Sequence, residues 1–262
     1  VVLAALAMSH DIRRPPARTA RPCAPQRLTP PTWEEIETAI TYYKRAVAID
    51  PSSADAQASL ALAYTGRASY LPDRGRWVAL AVEAATRAQH LDPGNATAGK
   101  ARGTAHALVG RLRSAAVEFR RAVHLGPDDA ETAVFLGRVL VSSGHVTEAL
   151  DLYERQIAAY PRTSMGYAYL ADGLSVAGYP ALSVEAARAP VALEPDASDA
   201  QRPLVRDDLL RGRYESARLR LERMLEVSPD CAPCLVQLGL VEQLGGHRER
   251  AEARYRAARA VW

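Results

Sequence analysis

Prolines stand at positions 51, 93, 127, 161, 195 and 229, and every gap after the first, which is 42, is 34 residues. Glycines at 110, 144, 178, 212 and 246 repeat the same 34-residue spacing in a different register. Two residue types sharing one period mark a unit that cannot bury its apolar face alone and must stack on copies of itself. The prolines sit in similar junctions: AVAIDPSSADA (46–56), AQHLDPGNATA (88–98), AVHLGPDDAETA (122–133), VALEPDASDA (191–200) and LEVSPDCAPC (225–234).

Each glycine follows a helical apolar pattern, where a left-handed C-terminal cap costs a residue without Cβ little. Each junction proline ends a second helix, and the Asp, Ser or Asn beside it is placed to cap the next. The unit therefore reads helix, glycine turn, helix, proline turn. With 48% apolar but only 6% aromatic residues, the chain is suited to helices packed closely through small side chains.

This pattern resembles the tetratricopeptide repeat over about residues 33 to 262. In the unit AETAVFLGRVLVSSGHVTEALDLYERQIAAYPRT (130–163), Leu136, Gly137, Ala149 and Tyr153 occupy family positions 7, 8, 20 and 24. Small residues recur on first helices (Ala61, Gly103, Gly137, Ala171, Gly239) and on second helices (Ala39, Ala81, Ala115, Ala149, Ser183, Ala217, Ala251). Tyr43, Phe119, Tyr153, Leu221 and Tyr255 are the larger partners expected to fill the space between neighbours. The resemblance implies an all-α fold, a right-handed superhelical solenoid of antiparallel helix pairs over residues 32–262. One half repeat, with Thr32 and Glu35 matching a capping box, precedes six repeats.

Two places depart from the pattern. Eight extra residues fall around GRASYLPDRGRW (66–77). Together with the half repeat they resemble the repeat region behind bacterial membrane-bound winged-helix regulators, adenylate cyclases and some kinases. That implies a sensor or assembly segment of a larger signalling protein. At 188–204, Pro190 and Pro203 interrupt helical patterns, which predicts a bend or a loosened interface there.

Residues 1–31 read as an Arg/Pro-rich linker holding six of the seventeen prolines. The chain opens on VVLAALAM without an initiator methionine, which suggests a fragment. Eight apolar residues are too few to span a bilayer, so they are expected to be the tail of a longer transmembrane or signal segment, or a frayed end. Membrane contact is expected only through such a segment, and localisation stays open. Of 33 basic and 30 acidic residues, five and one lie in residues 1–33, leaving 28 against 29. That balance gives no electrostatic footprint for nucleic acid.

No catalytic constellation emerges. His90 and His124 lie one repeat apart at helix ends, and His145 and His247 sit beside turn glycines, so the histidines read as solvated or capping groups rather than metal ligands. Gly-rich phosphate loops and nucleophile elbows are absent from the sequence, and no cofactor or metal is expected. The local exception is Cys231 and Cys234, a C-x-x-C at the start of the last first helix. It reads as a structural disulfide or two small residues, with thiol-redox or metal-linked chemistry as the rival reading.

The resemblance implies a non-catalytic scaffold whose concave groove holds a protein or extended peptide. Family positions 2, 5, 9 and 12 of first helices fall on that groove. Here they include Lys100, Val134, Arg138, Val141, Asp172, Arg202 and Arg206, with Asp55, Glu131 and Asp199. The charges balance in number, so no ligand charge is selected. Asn95, the only asparagine, lies in a junction, which disfavours a chaperone-tail clamp built on Lys and Asn.

Overall fold

The computed structural model describes residues 33–69, 73–161, 164–193 and 198–261, and among these the chain forms thirteen α-helices and no strand. The half repeat is α1 (Trp33–Ile49). Six pairs follow: α2 (Ala54–Ala68) and α3 (Arg74–Leu91), α4 (Ala96–Leu108) and α5 (Leu112–Leu125), α6 (Ala130–Ser142) and α7 (Val146–Ala159), α8 (Ser164–Val176) and α9 (Pro180–Leu193), α10 (Ser198–Leu210) and α11 (Tyr214–Val227), α12 (Ala232–Leu244) and α13 (Arg248–Ala260). Residues 1–32, with Thr32 and the apolar opening, lie outside the described residues, as does the side chain of Asp199. No described helix is long and apolar enough to cross a membrane.

The periodic glycines make the turns within pairs. Gly144 has φ 82°, and the next amide, His145 N–H, donates back to Leu140 O at 2.8 Å. The same bond recurs one repeat on, from Tyr179 to Leu174 O at 2.9 Å, and again from Arg213 to Asp208 O at 2.8 Å. This is the Schellman closure, which satisfies carbonyls that a helix end leaves open. Between pairs, polar side chains cap the first helices. Ser53 Oγ accepts from Ala56 N–H at 3.2 Å, Asn95 Oδ1 from Ala98 N–H at 2.9 Å, and Asp129 Oδ1 from Thr132 N–H at 3.2 Å.

Within a pair, a ring on the second helix lies on a glycine of the first. A Cβ built on Gly137 would stand 2.3 Å from Tyr153 Cε1, one on Gly103 2.7 Å from Phe119 Cδ1, and one on Gly239 2.5 Å from Tyr255 Cε1. Glycine is retained mid-helix because nothing larger fits against these rings. Tyr153 is fully buried, and that burial holds its hydroxyl well above the ordinary tyrosine pKa.

Every substantial helix contact joins sequence neighbours or successive first helices: α2 with α4, α4 with α6, α6 with α8, and α8 with α10. Among the described residues no pair several repeats apart packs together in this way, which is the contact pattern of a helical-repeat solenoid.

The inserted stretch is partly helical: Arg74–Trp77 form the first turn of α3, started by Asp73 at φ 74°. Trp77 there lies against Tyr64 (5.7 Å between centroids), and the Arg67 guanidinium is held between Trp33 at 3.6 Å and Trp77 at 4.8 Å. Around the two prolines, α9 continues past Pro190 and α10 past Pro203. Both α8 and α9 pack against α10 across this place.

Candidate partner-binding face

From α2 to α10 the first helices touch in succession, so residues 34 apart on them form rows running along the array, and α12 continues the same spacing in sequence. One row is Lys100, Val134, Ala168, Arg202 and Val236, and its neighbour one turn on is Thr104, Arg138, Asp172, Arg206 and Leu240. The seven residues expected on the groove fall in or beside these rows, but they differ in what they offer.

Lys100 is committed internally. Its Nζ lies 3.0 Å from Asp129 Oδ2 and 2.6 Å from Glu131 Oε2, and its side chain is 12% exposed. Burial alone would lower its pKa, but the two carboxylates outweigh that and raise it. Burial likewise works to raise Asp129, and the Thr132 hydroxyl and Lys100 outweigh it, holding that carboxyl below its usual value. Asp55 is also engaged, accepting from Asn95 Nδ2 at 2.8 Å. These contacts tie one repeat to the next.

Val134 is 2% exposed and gives the groove no surface, and Val141 packs half-buried against the central core. Asp172 receives two cations, Arg202 at 2.8 Å and Arg206 at 3.1 Å. Arg202 also lies over the Tyr169 ring at 4.8 Å. Arg138 differs from the others. It is exposed, flanked by the rings of Phe135 at 6.0 Å and Tyr169 at 5.7 Å, and among the described residues it has no carboxylate partner.

The groove reading did not include Phe135 and Tyr169, the rings that flank Arg138, or Val236 and Leu240, which are 41% and 40% exposed at the far end of the two rows. The 34-residue spacing contains the signal for all four, since Tyr169 is Phe135 advanced by one unit, and Val236 and Leu240 are Arg202 and Arg206 advanced likewise.

Away from this face, Cys231 and Cys234 are joined by a disulfide at the start of α12, where Cys231 Sγ accepts the Cys234 N–H at 3.3 Å and Cys234 is buried. His90, His124 and His145 are exposed, and His247 Nδ1 lies 3.1 Å from Glu242. No group of three His, Cys, Asp or Glu side chains among the described residues is placed to hold a metal ion.

Comparison with known proteins agrees with this architecture. A family model described as TPR repeat matches residues 34–66. No curated protein matches. Among solved structures, a tetratricopeptide repeat protein from Parabacteroides merdae superposes with a TM-score of 0.66 at 15% identity, over 87% of each chain. A thermophilic TPR protein of Thermus thermophilus gives 0.57 at 21% identity, over 63% of this chain and 90% of its own. The APC/C hetero-tetramer Cut9–Hcn1 gives 0.64 at 13% identity, over 86% of this chain, which spans 43% of the matched chain. By its period, its glycine closures, its ring-on-glycine packing and these matches, the chain has the fold of the tetratricopeptide-repeat proteins, and the family model itself matches residues 34–66.

Proposed function

We propose that this chain is a non-catalytic scaffold that holds a protein or extended peptide against the face made by its first helices. The observation that carries this reading is the set of exposed side chains in register there: Arg138 on α6, Arg206 on α10, and Val236 and Leu240 on α12. A stacked array presents such a face as one continuous surface, long enough for a ligand to touch several repeats. Within a larger protein the array acts as a sensing or assembly segment, a reading supported by the sequence resemblance of the half repeat and the insert.

A photoreactive residue placed at position 138, 206 or 240, and as controls at Val117 or Leu219 on second helices, tests the face used. Adducts with partner protein from the first three positions are expected. Adducts only from Val117 or Leu219, both well exposed, would move the site to the opposite side. The thiol reading is separated by Cys231→Ser with Cys234→Ser: a scaffold keeps its adducts, whereas a thiol-dependent protein loses its activity.

A further inference from the structure

The number of charges on the groove positions balances, but their pairing does not. Lys100 is neutralised by Asp129 and Glu131 at the start of the next repeat. Farther along, Asp172 serves both Arg202 and Arg206, and Arg206 remains 44% exposed. Arg138 has no described carboxylate at all and stands exposed between two rings. From α6 to α10, then, Glu131 is engaged by Lys100, Arg206 shares Asp172 with Arg202, and Arg138 stands without a described carboxylate. The Phe135 and Tyr169 rings lie within cation–π reach of the Arg138 guanidinium, at 6.0 and 5.7 Å.

The next first helix changes character. Val236, Leu240 and Leu244 lie four residues apart on α12 and are 41%, 40% and 49% exposed. They form an apolar strip on one helix face that the described structure leaves uncovered. In the row of Arg138 and Arg206, Leu240 is the following member.

We infer that this groove selects an acidic peptide with an apolar side chain at one end, its carboxylates seated on Arg138 and Arg206 and its apolar residue on Val236 and Leu240. This rests on the first-helix face being the binding face. Charge complementarity carries it, because the planar guanidinium fork matches a carboxylate in bidentate geometry. Neighbouring helices pack about 8–10 Å apart, which separates Arg138 from Arg206 by about 16–20 Å. An extended chain advances about 3.3 Å per residue, so the two acidic residues stand about five or six apart, with the apolar residue about three farther on.

Fluorescence anisotropy with labelled synthetic peptides and the full chain tests this. The probes are a twelve-residue peptide with two glutamates and a leucine at those spacings, and counterparts with glutamine or lysine replacing the glutamates. The glutamate peptide is expected to bind at least about tenfold more tightly than the others, and more weakly as salt is raised. Arg138→Glu and Arg206→Glu should each lose about tenfold or more, Arg138→Gln less, and Leu240→Ser should weaken the glutamate peptide. Helix content by circular dichroism should be unchanged in the Arg138 variants, since that side chain is exposed.

Equal binding of the glutamine peptide, still sensitive to substitutions in the groove, would overturn the acidic selectivity while leaving the groove as the binding face. Binding unchanged by every groove substitution would overturn both readings. Failure of all three peptides to bind, or tighter binding of a labelled oligothymidylate than of the glutamate peptide, would overturn the acidic-peptide assignment.

Discussion

At the scale of single residues, the fold depends on pairs in which one partner is small because the other is large. Gly137→Ala gains up to about 1 kcal/mol in helix propensity, yet its methyl would meet the buried Tyr153 ring at 2.3 Å. Overpacking a closed core costs about 1–3 kcal/mol, so a net loss of about 1 kcal/mol is expected in urea unfolding, and a rise in stability would contradict the packing described. The ion pair at Lys100 gives a pH-dependent prediction. Asp129 has a lowered pKa in the folded chain, so its contribution is present above the unfolded value near 4 and is lost as pH falls through the folded value. Lys100 has a raised pKa, so its contribution holds below about pH 10 and is lost above. Lys100→Met should therefore cost about 1 kcal/mol at pH 7, with its carboxylate partners 40% and 47% exposed, and less as pH falls through the folded Asp129 value; a cost that does not fall with pH would sink the assignment. Leu136, Gly137, Ala149 and Tyr153 were legible in sequence because they match positions that the resembled repeat family fills with residues of these sizes. The burial of Val134 was not, since spacing gives the face a residue occupies but not how closely the neighbouring repeat approaches it. Nor was the engagement of Lys100, whose partners lie 29 and 31 residues away.

At the scale of elements, the glycine turns and capped first helices follow from local chemistry and were readable from the 34-residue spacing. The insert was readable as a departure from the period, but not as a longer α3, because Trp77 joins the helix by packing on Tyr64 and Arg67 rather than by any pattern of its own. At the prolines 190 and 203 the sequence predicts a bend or a loosened interface, and both helices continue through them. A proline removes one donor and leaves a carbonyl unpaired, so helical backbone can persist there at reduced local stability. Backbone amides of 188–193 and 198–204 should exchange faster than those of 130–160 by about tenfold or more under native conditions, and Pro203→Ala should slow that exchange. Equal protection of the two segments would show that the interface is as firm there as elsewhere.

At the scale of the whole molecule, neighbour-only packing turns a repeated sequence into a surface. Because α2, α4, α6, α8 and α10 touch in succession, side chains 34 residues apart come into line, and a ligand can be read by several repeats at once. The charge total gave no hint of this, since it counts Asp129 and Glu131 against Arg138 although both are paired with Lys100. The most direct measurement is the amide spectrum of the isotope-labelled chain titrated with the two-glutamate, one-leucine peptide. Shifts are expected to concentrate on α6, α8, α10 and α12 and to spare the exposed faces of α5, α7 and α11. Shifts concentrated on those second helices instead would contradict the first-helix face as the working surface of this protein.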